Sequence, residues 1–233
     1  MNFEAIIFDM DGVLVDTPEL MTQAYNTVLK EYGVQLSVED RKKTSGMPLV
    51  DQLHRWQADL HTKEPIDAED FIKRSTAIKK ELFKSLKPNN TLIKFLENAR
   101  ENGILLAVGT SNTRDNAEHL LTLVKIRKYM YAIVTEEDTQ KPKPDPDVFL
   151  KAAEKLNVDP KKCVVFEDAT KGLEAATRAK MKTVALLTKY GSKEDFEGRA
   201  NIIISNFSEI SLQKIDNLFD TRQIPDKKIR RQC

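Results

Sequence analysis

The chain has 233 residues, enough for one sizeable domain or one domain carrying a smaller insertion. Hydrophobic residues make up 40% and charged residues 31%, and 37 Lys and Arg against 36 Asp and Glu leave a net charge of +1, so charge gives no reason to expect nucleic acid or an anionic membrane as partner. No run approaches the ~18 apolar residues of a membrane span, no signal-peptide core precedes the first acids, and only Cys163 and Cys233 occur, which excludes a disulfide framework and predicts a cytoplasmic, by default monomeric, protein.

In chain order, short continuous apolar runs alternate with amphipathic helical patterns. The first run is Ala5–Phe8. After it, residues 18–86 hold no convincing strand. Leu20, Ala24 and Val28 share one helical face, Met21, Tyr25 and Leu29 an adjoining one, and Gly33 offers a stop. Ser37 with Asp40, and Asp67 with Asp70, stand at capping-box spacing ahead of further helical pattern. Trp56 with Leu53 and Leu60 reads as the core of this segment. A stretch of about seventy residues is too long for a structureless loop in a compact domain, so a helical insertion is expected.

The remaining runs are 104–108, 131–134, 163–166, 183–187 and 202–204, and amphipathic stretches 115–124, 147–156 and 172–180 lie between them. Continuous rather than alternating runs predict strands covered on both faces. Strand-helix-strand repetition predicts a parallel sheet with right-handed crossovers, the doubly wound α/β class. The expected organisation is a core from 1–16 and 87–220, an inserted all-helical unit at 17–86, and a disordered basic tail at 221–233 that carries Lys227-Lys228-Ile229-Arg230-Arg231. His54, His61 and His119 have no ligand spacing and read as surface groups.

Ligands of open parallel sheets bind beyond the carboxyl ends of strands, and four polar constellations stand there. Phe8-Asp9-Met10-Asp11-Gly12 places two carboxylates on one side of an extended chain, where mutual repulsion should raise the pKa of one. Thr110-Ser111-Asn112 can donate to a phosphate, or simply cap a helix. Lys141-Pro142-Lys143-Pro144 holds a lysine in a fixed direction, or makes a charged turn. Glu167-Asp168 supplies hard oxygen ligands for Mg²⁺, or acids at a helix N-terminus.

In this order the four resemble the motifs of the haloacid dehalogenase superfamily. Phe8-Asp9-Met10-Asp11-Gly12-Val13-Leu14-Val15-Asp16-Thr17 looks like its first motif and Thr110 like its second. Lys143, within Lys143-Pro144-Asp145-Pro146-Asp147-Val148-Phe149, matches the third in preference to Lys141, and Glu167 and Asp168 match the fourth. The resemblance runs from Met1 to about Leu218 and is greatest to the subgroup with a helical cap between motifs one and two, which includes phosphoglycolate phosphatases and β-phosphoglucomutases.

That resemblance implies a Rossmann-like core and a Mg²⁺-dependent phosphatase acting on a small phosphorylated metabolite. Asp9 would be the nucleophile, forming an aspartyl-phosphate, and Asp11 the general acid and base. Mg²⁺ would be held by the Asp9 carboxylate, the Asp11 backbone carbonyl and Asp168, with Glu167 direct or through water. Thr110 and Lys143 would hold the phosphoryl group, with Ser111 and Asn112 beside them, and Gly46 of Gly46-Met47-Pro48 would face the site. A sugar phosphomutase is the nearest rival. The β-phosphoglucomutase pattern has a histidine where this chain has Met21 and an arginine where it has Leu49, unless Arg41 or Arg55 substitutes. A non-enzymatic regulator that binds a phosphometabolite would be expected to lack a catalytic residue, and none is missing.

Overall fold

The computed structural model describes residues 1–45 and 47–220, so Gly46 and the basic tail 221–233 lie outside the described residues. Ala5–Phe8 forms β1. Four helices follow: α1 (Pro18–Leu29), α2 (Val38–Thr44), α3 (Leu49–Leu60) and α4 (Ala68–Phe83). The alternating part then runs α5 (Asn90–Glu101), β2 (Leu105–Gly109), α6 (Arg114–Leu123), β3 (Ala132–Val134), α7 (Asp147–Leu156), β4 (Cys163–Glu167) and α8 (Thr170–Arg178). It closes with β5 (Lys182–Leu186), α9 (Lys193–Phe196), β6 (Ile202–Ile204) and α10 (Leu212–Asp216).

The six strands form one all-parallel sheet in the order β3-β2-β1-β4-β5-β6. The chain moves outward from β1 to β2 and β3, then returns to add β4 on the other side of β1. This reversal opens a crevice at the carboxyl ends beside β1. Strand ends differ from the apolar runs by a residue: β2 extends through Gly109, which pairs with Val134 although glycine carries no apolar signal. Helices α6 and α8 likewise begin ahead of their apolar stripe, because a polar first turn is invisible to hydrophobic periodicity.

Both sheet faces are covered, as continuous apolar strands require. Ile6, Phe8, Leu106, Val108, Val164 and Phe166 pack with α5 and α6 on one side. Ala5, Ile7, Ala107 and Val165 meet α7 and α8 on the other, where alanines let the helices approach closely. Phe166 lies 5.1 Å from the Phe8 ring centroid, 5.5 Å from Phe95 and 5.6 Å from Phe207. Burying each such side chain stabilises by about 1.5–3 kcal/mol, and this cluster braces the strand that ends in the acid pair.

Helices α1 to α4 have an apolar cluster of their own, with Tyr25, Val28, Leu29, Leu53, Trp56 and Phe71 at its centre. The indole of Trp56 donates to Thr44 Oγ1 at 3.0 Å, so its buried N–H is satisfied. Ser37 and Asp40 form the expected reciprocal capping box on α2. Asp67 caps α4 by accepting from the Glu69 and Asp70 amides, without the reciprocal bond. Gly33, at φ 76°, closes a 3-10 turn over Lys30–Tyr32 that follows α1, rather than α1 itself. No helix among the described residues is long and apolar enough to cross a membrane.

Candidate active site

Asp9, Thr110 and Asp168 sit one step past β1, β2 and β4, and the ladder still holds the first two. The Asp9 amide donates to the Phe166 carbonyl at 2.8 Å and the Thr110 amide to the Val134 carbonyl at 3.0 Å. Gly12 turns the chain at φ 81°, and a Cβ there would lie 2.1 Å from Asp168 Oδ2. Only glycine lets the turn after β1 lie against the acid after β4.

Lys143 is buried and Lys141 exposed. The Lys143 ammonium donates to Asp9 Oδ1 at 2.5 Å and Glu167 Oε2 at 2.8 Å, and lies 4.7 Å from the Phe149 ring centroid. The other oxygen of Glu167 accepts from the Asp168 and Ala169 amides at 3.2 and 3.1 Å. A Cβ at Gly172 in α8 would fall 2.0 Å from the same carboxylate, so this glycine makes room for it. Glu167 is therefore anchored on all sides, and it orients Lys143.

Asp11 points the other way. The Thr17 hydroxyl donates to one of its oxygens and the Asn112 amide to the other. Asn112 also donates to Thr110 Oγ1 at 3.2 Å, so its side chain holds Asp11 and Thr110 in place. Ser111 is exposed at the rim. The Asp11 carboxyl is held above its ordinary pKa, chiefly by burial and only then by Asp9, which reverses the ranking expected from carboxylate repulsion. Thr17 ended the quoted first motif, yet nothing in the sequence marked it as the partner of Asp11.

The electrostatics leave negative charge in excess. Burial pulls Lys143 toward neutrality, but Asp9 and Glu167 outweigh it and hold the ammonium above the usual lysine range. Glu167 is nevertheless pushed up, because burial and Asp9 together exceed the help from Lys143. Asp168 is raised well above its normal value by burial, then by Glu167, Asp9 and Asp11. Asp9, Glu167 and Asp168 offer carboxylate oxygens within 4.8 Å of one another. One lysine cannot balance this set, and a divalent cation with oxygen ligands fits both the donor type and the charge deficit. The Asp11 carboxylate is not part of this triad.

The site opens into a cavity of about 1220 Å³ between the strand ends and helices α1 to α4. Met21 and Leu49 line it, and so does Arg41, whereas Arg55 is exposed and pairs with Asp59 at 2.7 Å. His119, exposed, reaches its rim; His54 and His61 are exposed elsewhere. Lys79 and Tyr190 also line the cavity, and Thr188 donates to Asp168 Oδ2 at 3.5 Å. No strand-end pattern announced these three.

A doubly wound parallel sheet with paired acids after its first strand, a hydroxyl after the second, a buried lysine and a second acid pair after the fourth defines a haloacid dehalogenase-type core. Residues 6–186 match the family model of haloacid dehalogenase-like hydrolases, and the chain belongs to that family. It is similar to a phosphorylated carbohydrates phosphatase of Thermotoga maritima, 37% identical over 177 residues that cover 76% of this chain and 81% of that one. It is also 33% identical over 192 residues to the fructose-1-phosphate phosphatase YqaB of Escherichia coli, covering 78% and 96% of the two chains. The structure of CbbY from Rhodobacter sphaeroides in complex with phosphate superposes with a TM-score of 0.80 at 26% identity, over 92% of this chain and 99% of that one.

Proposed function

We propose that this chain is a magnesium-dependent phosphatase of small phosphate monoesters, phosphorylated carbohydrates foremost, that works through an aspartyl-phosphate on Asp9. The observation that carries this reading is the Lys143 ammonium bridging Asp9 and Glu167 beside Asp168, at the floor of a cavity deep enough for a metabolite. The phosphatase names of two relatives support the substrate class.

Asp9 attacks phosphorus as the bond to the leaving oxygen breaks. Asp11, whose carboxyl burial raises above its ordinary pKa, gives a proton to that oxygen, then as a carboxylate takes one from the water that cleaves the phosphoaspartate. Thr17 and Asn112 fix the two oxygens of Asp11 for both proton transfers. Thr110 and Lys143 hold the phosphoryl oxygens. Asp9, Asp168 and the Asp11 carbonyl would hold Mg²⁺, which supplies positive charge to the phosphoryl group, with Glu167 acting through Lys143 or a water. Such sharing is needed, since phosphate-monoester hydrolysis can require acceleration up to about 10²¹ and one acid or base supplies only about 10²–10⁴. Residues 17–86 form a cap over a core made of 1–16 and 87–220, and shield the intermediate from bulk water.

Asp9→Asn keeps the shape and removes the attacking group. Its release of phosphate from p-nitrophenyl phosphate with Mg²⁺ should fall below detection while the circular dichroism spectrum is unchanged. Normal turnover by this variant would end the covalent mechanism. Arg41 in the cavity favours the mutase as a second reading, because a mutase must grip a bisphosphate. Incubation with β-glucose 1-phosphate and a bisphosphate primer separates the two: glucose 6-phosphate appearing much faster than free phosphate selects the mutase.

A further inference from the structure

The backbone of Asn112 is held from two sides. Its amide donates to Thr110 Oγ1 at 3.2 Å, and its carbonyl accepts from the Glu136 amide at 3.1 Å. What these bonds leave open is the plane of the side-chain amide, because the terminal torsion of an asparagine is broad and roughly two-fold. Turned end for end, the group exchanges an acceptor oxygen for two N–H donors in the same space. One end of Asn112 faces both Asp11 and Thr110. Nδ2 takes that end, donating to Asp11 and, at 3.2 Å, to Thr110 Oγ1.

Asp11 by itself does not enforce this choice through a turnover. As a carboxylate it only accepts, and so selects the Nδ2 end of Asn112. When it carries the proton meant for the leaving oxygen it is also a donor, and a turned amide then offers it an acceptor. A proton bonded to Asn112 Oδ1 is withheld from the leaving group. Asn116, four residues on in the first turn of α6, closes that route. Its Nδ2 donates to Asn112 Oδ1 at 2.5 Å. With that oxygen taken, turning the Asn112 amide would break the bond and set two NH₂ groups face to face. The helix that carries Asn116 is itself fixed, with Ala117, Leu120 and Leu121 buried in the core. The Arg114 amide donates to the Glu137 carboxylate at 3.2 Å, and the Arg114 guanidinium to the Ile133 carbonyl at 3.3 Å.

We propose that Asn116 is a positioning residue that acts through Asn112: it holds the Asn112 amide with its N–H end toward Asp11, so that the Asp11 proton stays directed at the leaving oxygen. This rests on the phosphatase reading above. Asn116 needs no contact with the substrate for this task, and its effect depends on how much the leaving group gains from a proton.

The test uses aryl phosphates graded in leaving-group acidity, from p-nitrophenyl to p-methoxyphenyl phosphate, with Mg²⁺. The parameter to read is kcat/KM, which covers the steps up to loss of the leaving group and omits hydrolysis of the phosphoaspartate. Nitrophenolate departs without help, whereas methoxyphenolate gains from a proton. Asn116→Leu keeps the branched shape and removes the donor. Its kcat/KM should fall less than about twofold on p-nitrophenyl phosphate and about tenfold on p-methoxyphenyl phosphate, part of the about 10²–10⁴ that a placed acid supplies. Asn116→Asp, which as a carboxylate cannot donate, should show the same graded loss, and an acid in the first turn of α6 suits the helix, so this variant keeps the test open if the Leu variant misfolds. Asn112→Ala removes the amide that turns, so its loss and that of Asn116→Leu should not add in the double variant. A loss equal for all esters, no loss, or additive losses each overturn the proposal. If the wild type hydrolyses none of the esters, it is the phosphatase reading that fails. The placement of the amide is then judged by nuclear magnetic resonance: hydrogen exchange of the Asn112 side-chain N–H groups should quicken about tenfold or more in Asn116→Leu, and equal exchange refutes it.

Discussion

Asp168 is the most crowded acid at the strand ends. Burial and three neighbouring carboxyl groups raise its pKa, and Lys143 alone opposes them. Asp168→Ala removes one member of a crowded, buried set. We expect the metal-free variant to melt at a higher temperature than wild-type protein, and its p-nitrophenyl phosphatase activity with Mg²⁺ to be lost. A lower melting temperature would mean that the acid cluster stabilises the fold. Cys163, on β4, is a free and buried thiol. Burial, then Asp159 and Glu4, push its pKa from 9.0 up to about 12. The folded chain keeps this proton where the unfolded chain releases it. Stability from this group is therefore whole below pH 9.0 and fades as pH climbs toward about 12. Because the thiolate is the reactive form, iodoacetamide at about pH 8 should leave Cys163 unmodified in native protein and label it in guanidinium, as read by peptide mass spectrometry. Native labelling would show that the site opens.

At the scale of elements, the segment between β5 and α9 links the acid site to the first helix. Thr188 donates to Asp168 and accepts from the Tyr190 amide at 3.2 Å. The Tyr190 hydroxyl meets Thr22 Oγ1 at 2.9 Å and Glu19 Oε2 at 3.2 Å on α1. Thr22 in turn accepts from Arg41. A chain of hydrogen bonds thus joins Asp168 to the arginine on α2. Tyr190→Phe keeps the ring and removes the hydroxyl that spans the gap. Loss of such a bond costs about 0.5–1.5 kcal/mol, so kcat/KM for a sugar phosphate should fall roughly two- to tenfold. The fall should be carried by KM, with the melting temperature nearly unchanged. An unchanged kcat/KM would show that this contact plays no part in positioning.

For the whole molecule, the cavity of about 1220 Å³ between the helices and the strand ends is far larger than a phosphoryl group. Reaction inside it requires water to be displaced, by substrate or by closure. We propose that the two connections between these parts, at Asp16-Thr17 and near Lys87-Pro88, act as hinges. Fluoroberyllate with Mg²⁺, which mimics a phosphorylated aspartate, should lower the radius of gyration in solution scattering. Identical scattering curves with and without it would remove the support for closure.

The sequence by itself determined the fold class and which polar residues stand at the strand ends. Continuous apolar runs such as Ala5–Phe8 are local patterns, and the residue after a buried strand must emerge at its carboxyl end. Asp9, Thr110 and Asp168 could therefore be placed without knowing what lay beside them. Tertiary structure alone buried Lys143 between Asp9 and Glu167, gave Asp11 its partners Thr17 and Asn112, and turned Arg41 rather than Arg55 into the cavity. Arg41 and Arg55 look alike in sequence, since each follows a helical pattern and carries the same charge. Which one faces the cavity depends on how α2 and α3 pack around Tyr25 and Trp56, and that is set by contacts between residues far apart in the chain.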